Sequence, residues 1–281
     1  MKRIGQSRIR RWATGRLIRR ALSLGSGNHG WEAVARLHRR GSPATLASIE
    51  RLLRSPNAHR RSLALGIAAQ LRTGRGGAPF ERAATQAMLV AGLQDRNPGV
   101  VQSAIFGLGH SPMDAALPAL LAHAQHPAAL VRFALAFTLG HYPAPDAIAA
   151  LMRLAADTDD DVRDWATFSL GTLHEADDDA IRSLLWKNAH DPNRDVRGEA
   201  VVGLARRSDD RVIALLQERL ADDDCRVYEL EAAEEMPRAE LLQVLQRVRA
   251  DAQGRPGLDP YWYRHLLDAI DACELVADAA A

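Results

Sequence analysis

The sequence contains few cysteines, lysines and aromatic residues. Aromatic side chains make up 5% of its 281 residues, and only Lys2 and Lys187 among the 36 basic residues are lysine. The two cysteines, Cys225 and Cys273, lie far apart. This separation excludes a disulfide framework or a zinc knuckle and indicates free thiols in a reducing compartment. We therefore predict a cytoplasmic protein.

Long apolar runs are also missing. No uninterrupted stretch approaches the roughly 20 residues of a membrane-spanning helix, so we predict no transmembrane segment. The basic start MKRIGQSRIRRW precedes no apolar stretch of signal-peptide length, although it is also similar to an organellar presequence. No segment alternates apolar and polar residues with the period of two that is typical of strands. These absences leave an all-helical protein as the expectation.

Charge is distributed very unevenly along the chain. Residues 1–75 contain 17 Lys or Arg and two acids, a net charge of +15, whereas residues 76–281 carry a net charge of −14. Charges of opposite sign at the two ends make the molecule a strong electrostatic dipole. We therefore considered nucleic acid or an anionic surface as a partner for residues 1–75.

Six similar segments repeat along the chain. Their starts are 41, 31, 31, 34 and 29 residues apart, and their apolar or small residues recur with helical spacing. A second helical pattern lies between successive copies, so each period predicts one helical hairpin. The six segments cover residues 59–68, 100–109, 131–140, 162–171, 196–205 and 225–234.

The repeats predict an all-α solenoid, in which stacked hairpins share one core. We expect six hairpins over residues 42–237, a degenerate seventh hairpin or cap over residues 238–281, and a basic helical cap over residues 1–41. Proline punctuates the predicted helix starts. The residues that we expect to cap helices before a proline are Ser42, Ser55, Asn97, Asp191 and Asp259.

Small residues close each repeat. We expect the glycines among them to allow close contact between helices and to end helices, with a positive φ at the tenth position of the segment. They are Gly107, Gly109, Gly140, Gly171 and Gly203, of which Gly109, Gly140 and Gly171 occupy the tenth position. Phe106, Phe137 and Phe168 recur 31 residues apart. We interpret these rings as a core ladder, and the alternative is a stacking platform for bases or a tetrapyrrole.

The repeat frame resembles the HEAT repeat, specifically the phycobilisome-lyase HEAT-like kind. The residues that carry this resemblance are Asp161-Val162-Arg163 with Leu170-Gly171, and Asp195-Val196-Arg197 with Leu204-Ala205. The second copy departs from it, with Val101 in place of arginine. The resemblance implies a solenoid that serves as a scaffold or adaptor, or more rarely as an enzyme such as a bilin lyase or isomerase.

The resemblance also provides a test for one enzyme class. HEAT-like hydroxylases place His-Glu pairs after the Val-Arg of the second helix, as ligands of a di-iron centre. The corresponding pairs here are Gln102-Ser103, Phe133-Ala134, Asp164-Trp165 and Gly198-Glu199. We therefore expect no di-iron centre.

Histidine is the remaining candidate for metal binding. His110 and His141 share one turn position in adjacent repeats, and His123 and His126 are three residues apart, which is a weak metal signal. We predict no metal and no cofactor.

Recurring arginines offer two interpretations. Arg60, Arg132, Arg163, Arg197 and Arg226 form either a structural ladder with loop aspartates or a basic stripe that binds a partner. As candidate binding residues in a groove made by the second helices, we name Arg132, Phe133, Arg163, Asp164, Trp165, Arg197 and Arg226. In the basic, amphipathic N-terminal segment we name Arg8, Arg11, Trp12 and Arg16.

With no assembled catalytic constellation in the sequence, we expect a non-catalytic scaffold that binds a protein partner through its groove. Binding of nucleic acid or an anionic membrane through the basic N-terminal segment is the first alternative. A bilin lyase or isomerase activity, implied by the resemblance alone, is the second.

Overall fold

The computed structural model describes residues 13–24, 28–222, 225–253 and 257–280. Three of the predicted binding residues, Arg8, Arg11 and Trp12, lie outside these ranges.

The described residues form sixteen α-helices. They are α1 (Thr14–Leu24), α2 (Asn28–Leu37), α3 (Pro43–Leu53), α4 (Ala58–Ala68), α5 (Arg82–Gly92), α6 (Pro98–His110), α7 (Leu117–Leu121), α8 (Ala129–Leu139), α9 (Pro145–Leu154), α10 (Asp160–Phe168), α11 (Asp179–Asn188), α12 (Arg194–Arg206), α13 (Arg211–Leu220), α14 (Val227–Glu235), α15 (Ala239–Ala252) and α16 (Pro260–Ala280). A 3₁₀ turn precedes α7 at Asp114–Ala116, and a π-helical turn continues α10 at Ser169–Leu173.

These helices confirm the predicted all-α solenoid. From α3 onward they form seven hairpins, each with a first helix (α3, α5 and so on to α15) and a second helix (α4, α6 and so on to α16). In the described part of the chain there is no strand, only one isolated bridge between Arg72 and Pro79. No helix there is long and apolar enough to cross a membrane.

The chain divides into two compact units, Met1–Ala147 and Ile148–Ala281. In the first unit, α4 packs against α6, α6 packs against α8, and α1 contacts α2 and α4. In the second unit, α10, α12, α14 and α16 pack in sequence order. Second helices thus stack on second helices within each unit.

The core is built from the same position in successive repeats. Val100, Val131, Val162 and Val196 are each the third residue of a second helix, and all are at most 1% exposed. Each buried valine contributes about 1.5 to 3 kcal/mol relative to an exposed one. In α1, Leu17, Ile18 and Ala21 form the buried stripe of the predicted amphipathic helix.

The cap predictions are right at three positions and wrong at two. Ser42 and Asn97 accept helix N–H groups from Thr45 and Gly99, and Asp259 accepts from Tyr261. Before α4 and α12, however, the capping residues are Asn57 and Asn193. The predicted residues, Ser55 and Asp191, instead accept from the backbone N–H of these two asparagines, because the proline between them extends the loop by one turn.

The glycine predictions divide in the same way. Gly171 and Gly203 bring α12 against the π-helical turn so closely that a Cβ on Gly203 would lie 2.6 Å from the Cα of Gly171. Close helix contact is therefore confirmed at this pair. The positive φ expected of the tenth-position glycines is wrong. Gly140 has a φ of −56°, Gly109 lies inside α6 and Gly171 lies inside the π-helical turn, so each continues a helical conformation.

Candidate functional site

Three of the predicted groove arginines have the same internal role. The guanidinium of each donates to the backbone carbonyl six residues earlier: Arg132 to His126 at 2.8 Å, Arg163 to Asp157 at 2.9 Å and Arg197 to Asp191 at 2.7 Å. Each arginine thereby fastens its second helix to the loop that precedes it. These hydrogen bonds support the structural interpretation of the arginine repeat.

An aspartate of the next repeat completes the ladder. Arg163 donates from Nε and Nη2 to the two carboxylate oxygens of Asp191, at 2.9 and 3.0 Å. In the first unit, Arg61 binds Asp95 in the same bidentate way at 2.7 and 2.9 Å. The predicted frame was therefore wrong by one residue in the first copy. Arg60 is exposed there, and Arg61 makes the bidentate contact with the aspartate of the next repeat.

The second copy lacks both members of the ladder. Val101 is the residue that replaces the arginine, and His126, in the following loop, replaces the aspartate that would receive it. The imidazole of His126 accepts the N–H of Ala128 at 3.1 Å, as Asp191 accepts that of Asn193. Because both partners are changed, no unpaired charge is left behind.

Arg226 does not join the ladder. It precedes α14, and its Nη1 lies 3.7 Å from Oδ1 of the exposed Asp195. Arg16 is exposed on α1, opposite that helix's buried stripe. A binding role for either residue stays a prediction.

Two of the predicted ladder rings, Phe106 and Phe137, contact each other in the first unit, but both are half-buried and line a cavity instead of the core. The rings of Phe106 and Phe137 are 5.3 Å apart, edge to face, and Phe133 is 6.0 Å from Phe106. In the second unit, Phe168 packs edge to face on Trp165 at 5.6 Å. These distances are typical of aromatic pairs that stabilise one another.

The second helices of the second unit carry a row of carboxylates, which we call the acidic face. Its members are Asp164 on α10, Asp195 and Glu199 on α12, and Glu231 and Glu234 on α14. Because α10, α12 and α14 pack side by side, residues far apart in sequence come close enough for their charges to interact.

Two carboxylates of the acidic face have no cationic partner among the described residues. Burial and the negative charges of Asp195 and Asp161 raise the pKa of Asp164 to about 6. Burial and the charges of Asp164, Glu231 and Asp195 raise the pKa of Glu199 to about 8. Oδ1 of Asp164 is buried without a hydrogen-bond partner. An approaching cation would therefore stabilise the ionised forms of these two carboxyl groups.

At the end of the acidic face nearest α16, the carboxylates contact an imidazole and a tyrosine hydroxyl. Nδ1 of His265 lies 2.6 Å from Oε1 of Glu234, and the Tyr261 hydroxyl donates to Oε1 of Glu231 at 3.2 Å. Tyr228 lies among the carboxylates, and burial together with the charge of Glu199 raises the pKa of its hydroxyl. Aromatic rings on α10, α14 and α16 thus lie beside the carboxylates of the acidic face.

Most of the acidic face was missed by sequence reasoning. Of its five carboxylates, only Asp164 was among the predicted groove residues. Glu231 and Glu234 are three residues apart on α14, and Tyr261 and His265 are four apart on α16, spacings that place each pair on one helix face. Those spacings could have indicated the site. The repeat frame hid them because its pattern is lost after residue 225.

Among the residues that the structure describes, no group of three His, Cys, Asp or Glu could hold a metal ion. Spread along three helices, the carboxylates suit a cationic partner with several separated charges.

Arg207 joins the π-helical turn after α10 to the end of α12. Its guanidinium is buried and donates to the carbonyls of Leu170, Gly171 and Gly203 at 2.7 to 2.9 Å. It also donates to the carbonyls of His174 and Ala176. A π-helical turn leaves carbonyls unpaired, and Arg207 satisfies them. It therefore holds the end of α10 on α12.

Comparison with known proteins agrees with this architecture. A family profile described as HEAT repeats matches residues 87–171. Among solved structures, E. coli YibA matches with a TM-score of 0.70 and 23% identity, over 98% of this chain and 97% of that chain. An engineered protein matches with a TM-score of 0.50 and 18% identity, over 92% and 77%.

A third solved structure is the complex of CpcE and CpcF of phycocyanin lyase from Nostoc, with a TM-score of 0.49 and 16% identity, over 83% of this chain and 96% of that chain. No curated protein sequence matches. The profile match identifies HEAT repeats within residues 87–171, and the likeness to E. coli YibA extends the same fold over the chain.

Proposed function

We propose that this protein is a non-catalytic scaffold whose acidic face binds a basic segment of a protein partner. The observation that carries the proposal is the row of carboxylates on α10, α12 and α14, in which Asp164 and Glu199 have no cation of their own. A partner with several arginines or lysines would supply the missing charges.

The neighbouring side chains favour arginine over a simple ion. Trp165 and Tyr228 lie on the same helices as the carboxylates, and Tyr261 on α16 donates to Glu231. The guanidinium of Arg264 lies 5.2 Å from the ring centroid of Tyr261, so this ring takes part in the kind of contact that a partner's arginine would make. Guanidinium groups bind carboxylates and stack on aromatic rings, so this surface suits them.

Protonation gives the proposed binding a pH dependence. A bound cation favours the ionised forms of Asp164 and Glu199, whose pKa values are raised to about 6 and about 8. Binding therefore releases protons near neutral pH, and affinity should increase as the pH rises from 6 to 8.5.

Fluorescence anisotropy with a labelled peptide that alternates arginine and glycine tests the proposal. The variant Asp164→Asn with Glu199→Gln removes two carboxylates from the acidic face. At pH 8.5, above the raised pKa values of both groups, we expect about a tenfold loss of affinity. The matched control, Glu218→Gln with Glu240→Gln, removes two exposed charges from the first helices α13 and α15. This control should bind almost as well as the wild type.

The two doubly substituted proteins separate a site from general attraction. Equal loss of affinity in both would mean that the peptide responds only to net charge, and the acidic face would be rejected. Failure of the wild type to bind at low salt would reject it as well. Because the first variant removes charges that repel one another, it should fold at least as well as the wild type.

Exposed arginines favour nucleic acid as a second candidate partner. Arg39, Arg51, Arg54 and Arg60 are exposed, and no carboxylate pairs with them among the described residues. Binding of a short duplex that weakens steeply with salt, and is lost when Arg51, Arg54 and Arg60 become serine, would support this candidate. Salt-insensitive binding would contradict it.

A lyase or isomerase activity on a bilin stays a prediction from the family resemblance. Mixing the protein with a free bilin and recording its absorption spectrum tests that activity directly. An unchanged spectrum would contradict it.

A further inference from the structure

The first unit contains a cavity that the proposed scaffold function does not use. Its volume is about 710 Å³, and its wall is formed mainly by α2, α4, α6 and the residues that follow α2 and α4. Pockets of this size enclose drug-sized ligands in other proteins. The cavity can therefore hold a small molecule.

The described residues that line the cavity include aromatic rings but no fixed charge. Phe106, Phe137 and the 58% exposed Trp31 line it, and every other lining residue is aliphatic, glycine, serine, glutamine or histidine. This composition contrasts with the 17 Lys and Arg of residues 1–75. A charged ligand would lose its hydration there without gaining a counter-charge. The wall therefore selects a neutral, largely aromatic molecule.

The histidines of the wall agree with a neutral ligand. Nε2 of His38 is hydrogen-bonded to the carbonyl of Gly66 at 2.8 Å, and burial lowers the pKa of His38. Burial and the nearby His141 also lower the pKa of His110. Both imidazoles are therefore uncharged at neutral pH.

Gly66 leaves the backbone of α4 open to the cavity. It lies inside α4 and lines the cavity, yet a Cβ at this position would meet no atom within 4 Å. Gly107, by contrast, is required by packing, because its Cβ would lie 2.3 Å from Leu89. A flat molecule can therefore approach the backbone of α4 more closely at Gly66 than at a residue with a side chain.

We propose that the cavity binds a neutral, planar aromatic small molecule with one face over Gly66. Its polar edge would be held by Gln102, whose side-chain amide lines the cavity and has no hydrogen-bond partner among the described residues. The rings of Phe106 and Phe137 would contact its apolar part.

Titration with Nile red, a neutral planar dye whose emission shifts to the blue in apolar surroundings, tests the inference. The wild type should bind it saturably. Gly66→Leu fills the space over the helix and should weaken binding at least about tenfold, and Gly66→Ala about threefold. Because either side chain enters open space, Tm should stay unchanged or rise slightly.

Gly15→Ala is the matched control, since Gly15 is also helical, would also meet nothing within 4 Å and does not line the cavity. It should bind the dye like the wild type. Wild-type affinity in Gly66→Leu, or equal binding of a sulfonated, anionic analogue of the dye, would overturn the inference. The doubly substituted acidic-face variant should bind Nile red normally, so this inference and the proposed function can fail separately.

Discussion

Arg163 joins two repeats through Asp191, whose two carboxylate oxygens both accept hydrogen bonds from this one guanidinium. The two side chains are 12% and 11% exposed, so the pair is largely removed from water. The pKa of Asp191 is lowered despite burial, because its bonds to Arg163 and to the Asn193 N–H favour the ionised form. Asp191 thus fixes the backbone before α12 and also binds the arginine of the preceding repeat.

Arg163→Ala should therefore lower the free energy of unfolding by about 2 to 4 kcal/mol, because it leaves a buried carboxylate unpaired. Urea denaturation measures this loss. Arg226→Ala, which removes only a 3.7 Å contact at an exposed position, should cost less than about 0.5 kcal/mol. A similar loss in both variants would contradict a special role for the ladder.

Restoring the ladder in the second repeat tests the same geometry in the opposite direction. The variant Val101→Arg with His126→Asp introduces both missing members and should be about as stable as the wild type. Val101→Arg alone places a guanidinium at a position only 2% exposed, without an aspartate, and should cost about 3 kcal/mol or more. Non-additive losses in a double-mutant cycle would confirm the pairing, and additive losses would contradict it.

Arg207 should be among the most sensitive positions of the second unit. Arg207→Met keeps much of the side-chain volume but leaves several buried carbonyls around the π-helical turn without donors, at a cost of about 3 kcal/mol or more. Arg206→Met, at the neighbouring exposed position, should change stability by less than about 0.5 kcal/mol. Thermal unfolding of both variants provides the comparison.

Glu199 should make stability depend on pH. Its pKa is raised from 4.5 to about 8 in the folded protein, so the folded state binds the proton more tightly than the unfolded state. The contribution is fully present below pH 4.5 and is lost as the pH rises through about 8. Glu199→Gln should therefore reduce the fall in Tm between pH 5 and pH 8.5. An identical fall in wild type and variant would contradict the raised pKa.

The close approach of Gly171 and Gly203 gives a steric prediction. Gly203→Ala would place its Cβ 2.6 Å from the Cα of Gly171, against backbone that cannot move aside easily. We expect a loss of about 2 kcal/mol or more, whereas Gly15→Ala should be neutral or stabilising. Equal Tm values for the two variants would mean that the helices can separate at little cost.

Hairpins and core positions were predictable because they depend on local periodicity. Val131, Val162 and Val196 recur at one position of each repeat, and an apolar stripe of helical period must be buried against a neighbouring helix. Prediction failed where one-residue precision was needed. The choice between Arg60 and Arg61 depends on which side chain faces the next loop. The first repeat matches the sequence pattern too poorly to specify this.

The acidic face depended on tertiary structure. Asp164, Glu199 and Glu234 are about 35 residues apart in sequence, and only the stacking of α10, α12 and α14 makes their charges neighbours. Their raised pKa values require burial and mutual repulsion, which are properties of the assembled surface. The cavity above Gly66 likewise exists only once α2, α4 and α6 have packed.

The sequence by itself determined the helical hairpins, their number, the buried valines and the separation of charge, because each follows from composition, from the helical spacing of apolar residues or from the spacing of the repeated segments. Only the tertiary structure decided which arginines are used in the ladder, which carboxylates share one surface and where an uncharged cavity lies. These features depend on distances between repeats, and such distances arise from packing.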